Sequence, residues 1–254
     1  MSLKVKLATV LGTVIVAVIF IFIAMTFYIN QEIDNPAAKE LDSQRYWYLN
    51  GDKIETIVSP PENIPFYLKL MIWIADKKAN KKMLTGRLLA WSARLGIGSG
   101  LLEMLIEDGA ARCLEPRLIK LLRMQVSFLV PSAFAIDINS ENYPNFQITD
   151  EEIEGLQGLK ELESIGSFSL KEKLALIYAR QLSNTPIILD TSLRKEIRLE
   201  FNPKEIVGIA ALVAKVNYWT RLIEALGVQP AGFSEGYHVL HLERYRTVKA
   251  YSEK

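Results

Sequence analysis

Leu118–Ser140 reads LIKLLRMQVSFLVPSAFAIDINS, and the spacing of its apolar residues decides the fold class. Pro116, just ahead, suits the first turn of a helix, where its missing N–H has no partner to lose. Leu118, Leu121, Leu122, Gln125 and Leu129 then share one stripe, a period of three to four residues rather than the two of a strand. Working outward, the pattern stays helical from Thr85 onwards. Thr85 or Gly86 can open a helix over Arg87–Leu95, and Ser99 another that ends at Gly109 as a C-terminal cap. Thr149 with Glu152, and Ser169 with Glu172, fit the capping box, in which a hydroxyl and a carboxylate satisfy reciprocal backbone donors. Asn202, Pro203 and Glu205 begin a long helix through Leu226, closed by Gly227 with Pro230 beyond. Ile187–Leu189 alone resembles a strand, and it is too short to support a sheet. The expected class is all-α.

Leu7–Ile29 runs for 23 positions without a charged side chain. As a helix it reaches roughly 35 Å, enough to cross a hydrocarbon core of about 30 Å. It is too long for the apolar core of a secretory signal, and no small-x-small cleavage site follows. Residues 1–29 are therefore expected to form a retained transmembrane anchor. Within it Gly12, Thr13 and Ala17 would let a partner helix approach closely in lipid. Residues 30–63, with Pro36, Gly51, Pro60 and Pro61, read as a linker holding at most one short helix, and 64–254 as the helical domain. Ile64–Ala75 is a second apolar stretch, too short to span, followed by Lys77, Lys78, Lys81 and Lys82. It reads equally as an interfacial helix laid on the bilayer and as a core helix with a basic end. Lys4 and Lys6 before the span nearly balance Lys39 and Arg45 after it. The free amino terminus tips the expectation to a cytoplasmic N-terminus with the domain periplasmic or extracellular.

Lys and Arg number 30 against 29 Asp and Glu, which gives no basic surface for nucleic acid. Cys113 is the single cysteine, so no intrachain disulfide can form.

From Leu118–Ser140 the order of residues resembles the carboxymuconolactone decarboxylase and alkylhydroperoxidase D (AhpD) family, a helical fold. The likeness continues through Thr149–Ile153, Phe168–Leu176 and Asn217–Arg221, covering about 115–230. Redox members carry a Cys-x-x-Cys pair at a helix start, a His four residues after the second Cys, and a Glu about a dozen before the first. A thiolate must form there, and a neighbouring relay must take its proton. The resemblance places these positions on Ser132, Ala135, Asn139 and Lys120, with Phe134, Ile136 and Asp137 keeping the frame. All four working groups are replaced, and one cysteine cannot make a redox pair anywhere. Thiol peroxidase chemistry of this kind is excluded.

Other constellations carry less. Asp137 and Glu141, four apart, would put two carboxylates on one helix face as an acid/base pair, or simply as a solvated face or local ion pair. Glu235, His238 and His241 fan round a helix and lack the further ligand of a tetrahedral set. Gly96-Ile-Gly98-Ser-Gly100 superficially resembles a phosphate loop but reads as a helix break, lacking the Lys-Ser/Thr end. Asn217 and Arg221, which match the family pattern, are expected to be structural, with Arg221 buried at a helix or subunit contact. Tyr218 and Trp219 read as core, and Ser132 has no histidine partner in sequence reach.

Neither cofactor nor metal is expected. The chain reads as a membrane-anchored, non-catalytic relative, an accessory, structural or assembly subunit of a larger membrane complex such as an energy-converting one. Its expected partners are membrane lipid, the protein subunits of that complex and a second copy of itself. The alternative is an anchored, cysteine-independent decarboxylase- or isomerase-like enzyme acting on a small carbonyl or lactone substrate.

Overall fold

A computed structural model of the protein describes residues 3–33, 41, 44–49 and 52–234. They divide into two compact units, Met1–Asp42 with Pro60–Gly96, and Ser43–Ser59 with Ile97–Lys254.

The first unit holds α1 (Leu3–Ile33), α2 (Phe66–Ala79) and α3 (Leu84–Leu89). From Val14 to Ile23 the side chains of α1 are exposed all round, while Ile29 and Ile33 are buried. The helix is long and apolar enough to cross a membrane. α2 turns Leu68, Lys69, Ile72 and Asp76 inward. Asp76 meets Arg87 of α3 in a buried ion pair at 2.9 Å. Asn80 ends α2 in the left-handed conformation that asparagine tolerates better than most residues.

The second unit is a helical bundle. After α4 (Ala93–Ala111), whose first residues belong to the first unit, come α5 (Pro116–Leu129), α6 (Ala133–Asn139), α7 (Asp150–Leu156), α8 (Leu170–Ser183), α9 (Thr191–Glu200) and α10 (Pro203–Leu226). α5 is the central helix, packed on α8 and α10, and its predicted stripe is in the core: Leu121, Leu122 and Gln125 are fully buried. α10 is also long and apolar enough to span a bilayer, but its apolar face, with Ile209, Leu212, Val213 and Val216, belongs to this core. Both expected capping boxes form, at Thr149/Glu152 and Ser169/Glu172, the expected helix start at Asn202 makes a third with Glu205, and Gly227 closes α10 at φ 73°. One guanidinium ties two of them together: Arg117 donates to Glu172 at 2.8 Å and to Glu152 at 2.5 Å, and also to the Phe146 and Gln147 carbonyls.

Several local expectations are corrected. Ser99 does not start a helix, Gly109 does not end one, and Gly96–Gly100 is not a break; all lie inside the continuous α4. A local glycine penalty of about 1 kcal/mol each is overridden by context. The predicted helix over Arg87–Leu95 is cut by a turn between α3 and α4. Ile187–Leu189 is irregular. The strands lie instead within 30–63: β1 (Tyr46–Leu49) and β2 (Asp52–Glu55) pair antiparallel, Leu49 opposite Asp52. This hairpin is no free linker. The residues flanking it join the end of α10, through Ile57 N–H to Leu226 O (3.2 Å) and Gln229 N–H to Gln44 O (2.9 Å).

Candidate functional site

Lys120, Ser132, Ala135 and Asn139, the positions that the sequence resemblance sets on the redox groups, lie on α5 and around α6. Ser132 is the N-cap of α6, its hydroxyl accepting from Ala135 N–H at 3.5 Å, and both residues are buried. Serine suits that place because its oxygen satisfies a helix-end donor. Ala135 offers a methyl group to the interior.

Asn139, in the place of the histidine, is 5% exposed and held from both sides. Its Nδ2 donates to Ser127 Oγ at 2.7 Å, and its Oδ1 accepts from Arg123 Nε at 2.8 Å. The chain of contacts continues outward. Arg123 Nη1 reaches Glu107 at 2.8 Å; Glu107 also takes the Lys215 ammonium, which in turn donates to Glu103 at 3.1 Å. Trp219 Nε1 closes the ladder on Glu103 at 2.8 Å. Lys215 is the most buried member, with a side chain 1% exposed against 27% for Glu107 and 37% for Glu103. Burial by itself would raise the Glu107 carboxyl, but Arg123 and Lys215 outweigh it and hold the group below the usual carboxylate range. Two cations facing two anions leave the ladder neutral.

Lys120, in the place of the glutamate, donates to the Glu141 carbonyl and stands 5.6 Å from the centre of the Phe146 ring. Burial, with Arg123 nearby, brings its ammonium down to about 8 against the opposing pull of Glu141 and Glu107. Its folded value lies below the unfolded one near 10.4. The unfolded chain therefore binds more protons between about pH 8 and 10.4, and this group's contribution to stability rises with pH across that window.

Asp137 and Glu141 do not form an acid/base pair, nor a solvated face. Asp137 is buried and accepts four hydrogen bonds from the segment after α10: Ala231 N–H (2.9 Å), Phe233 N–H (3.1 Å), Ser234 N–H (2.8 Å) and Ser234 Oγ (2.7 Å). Glu141 lies beyond the end of α6. Cys113 lies in the turn that joins α4 to α5, where a Cβ on Gly208 of α10 would come within 2.6 Å of its sulfur.

Asn217 is pinned by Ser183 Oγ (2.9 Å) and the Val213 carbonyl (3.0 Å), and it accepts from Arg221 Nη1 at 2.5 Å. The expected bond is present, but Arg221 is exposed rather than buried, at the rim of an open cleft of about 410 Å³ with Leu182, Ile187 and Val213. Trp219 is half-buried; Tyr218 is 37% exposed and shares a hydrogen bond with Ser99 (2.7 Å). Glu235, His238 and His241 lie outside the described residues. Gly12 and Thr13 are described only by their place in the backbone of α1, whereas Ala17 is exposed there.

Sequence reasoning missed the ladder. Its one visible signal was Lys215, a lone charge in the apolar run of α10.

No sequence-family model matches the chain, and no curated protein matches it. Its likeness to known proteins is one of fold. A cysteine-to-alanine variant of the debrominase Bmp8, in complex with 2,3,4-tribromopyrrole, superposes with TM-score 0.59 at 16% identity, covering 78% of this chain and 99% of that one. An uncharacterised peroxidase-related protein from Silicibacter sp. TM1040 gives 0.57 at 14%, covering 69% of this chain and 91% of that one. An AhpD-core, peroxidase-related protein from Ralstonia eutropha JMP134 gives 0.54 at 12%, covering 69% and 92%. The fold is AhpD-like.

Proposed function

We propose that this protein is a membrane-tethered AhpD-fold scaffold that works by binding rather than by thiol chemistry, as an accessory, structural or assembly subunit of a larger membrane complex. The observation that carries this reading is the fate of the redox positions: none of Lys120, Ser132, Ala135 and Asn139 can supply a redox sulfur, and Ser132 and Asn139 are tied into the interior by hydrogen bonds. α1 supports the tether, as a retained span with its N-terminus in the cytoplasm and the domain on the other side. Gly12, Thr13 and Ala17 on it are the expected contacts for a partner helix.

Purified protein should show no peroxide-dependent thiol turnover, and Cys113→Ser should leave its binding unchanged. A peroxidase rate that disappears in Cys113→Ser would overturn the proposal.

The rival is an anchored enzyme acting without cysteine on a small carbonyl or lactone. Its support is Lys120, whose lowered ammonium value is the kind a reactive amine needs. Turnover of such a substrate, lost in Lys120→Met with the fold intact, would favour it.

A further inference from the structure

α1 and α2 run side by side in the same direction. Phe22 and Phe66 meet edge to face, their centroids 5.8 Å apart. Further along, Lys69 Nζ donates to Asn30 Oδ1 at 3.1 Å, and Glu32 accepts from both Trp73 Nε1 (3.0 Å) and Lys77 Nζ (3.2 Å). From Phe22 to Glu32 is about 15 Å along one axis, and from Phe66 to Lys77 about 16 Å along the other. The contact therefore has an aromatic lower end and a charged upper end.

That polarity places a bilayer. The Asn30, Glu32, Lys69 and Lys77 group is ionic and belongs outside hydrocarbon. Below it α1 is apolar and exposed on every side, with Phe20 73%, Phe22 57% and Ile23 59% exposed, whereas Ile29 and Ile33 are covered. A span of about 20 residues counted from Leu7 ends near Thr26, not Ile29. The aromatics Phe22, Phe27, Tyr28, Phe66 and Tyr67 gather about that level, where the boundary between hydrocarbon and headgroups favours amphipathic rings. Tyr67 is 51% exposed, although it sits one residue from the ring contact with α1.

We infer that Ile64–Tyr67, the segment leading into α2, is seated in the headgroup boundary of the lipid bilayer beside α1, giving the first unit a second membrane contact and fixing its height and rotation. The helix stands upright on the membrane rather than lying along it. Ile74 and Lys78, about two and three turns beyond Tyr67, face water. The inference rests on α1 being a retained span, and it refines the span's outer limit.

Single-cysteine variants of the full chain in a Cys113→Ser background test it, spin-labelled at Val18, Tyr67, Ile74 or Lys78 and reconstituted in phosphatidylcholine–phosphatidylglycerol vesicles. Collision with oxygen reports lipid, and collision with a water-soluble nickel chelate reports solvent. Val18 and Tyr67 should show oxygen-to-nickel ratios severalfold above those of Ile74 and Lys78. A water-like Tyr67 with a lipid-like Val18 would overturn the second contact and leave the anchor standing. A water-like Val18 would remove the anchor itself and the inference with it. An Ile74 as lipid-exposed as Tyr67 would mean a helix lying flat, contradicting the upright arrangement.

Discussion

Replacing Glu107 by Ala should lower the stability of the helical domain by about 3 kcal/mol, near the low end of what breaking a buried ion pair costs. At about 2–4 °C per kcal/mol for a domain of this size, the melting temperature falls by roughly 10 °C. Lys215, almost wholly buried, would be left with Glu103 alone, and Arg123 with no carboxylate from α4. The low end applies because Glu103 stays and Glu107 is itself partly exposed. Removing both charges, in Glu107→Leu with Lys215→Leu, should recover most of the loss, since an apolar replacement of a buried pair is often neutral. The pH dependence follows from the lowered carboxyl. A carboxylate whose folded value lies below its unfolded one stabilises fully above the unfolded value, near 4.3, and loses that contribution as pH falls through the folded value. Glu107→Gln should flatten that acid limb in thermal melts taken from pH 6 downward.

The second large effect is expected at Asp137. Its carboxylate is the acceptor for three backbone N–H groups and one hydroxyl, and Phe233 beside it is 5% exposed. Asp137→Ala removes the carboxylate that accepts from those donors, at about 1–3 kcal/mol for each bond lost and kept dry. The segment can instead peel away and rehydrate, which limits the total to about 2–4 kcal/mol. Hydrogen exchange at Ala231, Phe233 and Ser234 should then accelerate more than exchange in α5. Unchanged protection there, with an unchanged melting temperature, would show that the carboxylate does not hold this segment.

What was legible in the sequence depended on reach. Each capping box is written within four residues, and the α5 stripe within a dozen, so both could be read directly and both are present. The hairpin was also written: in the sequence, Asn50-Gly51 between Tyr46–Leu49 and Asp52–Glu55 is a strong short-range signal for a two-residue turn. It went unread because the prolines and mixed charge around it suggested a linker. The ladder was not legible in that way. Lys215 finds Glu107 across 108 residues and Trp219 finds Glu103 across 116, and neither pairing has a local pattern. The same holds for Asp137: its spacing to Glu141 invited a helix-face argument, while its true partners lie 94 to 97 residues away. The substitutions at Ser132, Ala135 and Asn139 could be read by resemblance. Their new structural roles could not.

Purification of the natively expressed, full-length protein in mild detergent, with the mass of the intact assembly measured directly, tests the central proposal most closely. The account predicts a fixed stoichiometry with other membrane subunits. A lone protein that turns over a small carbonyl or lactone substrate would contradict it.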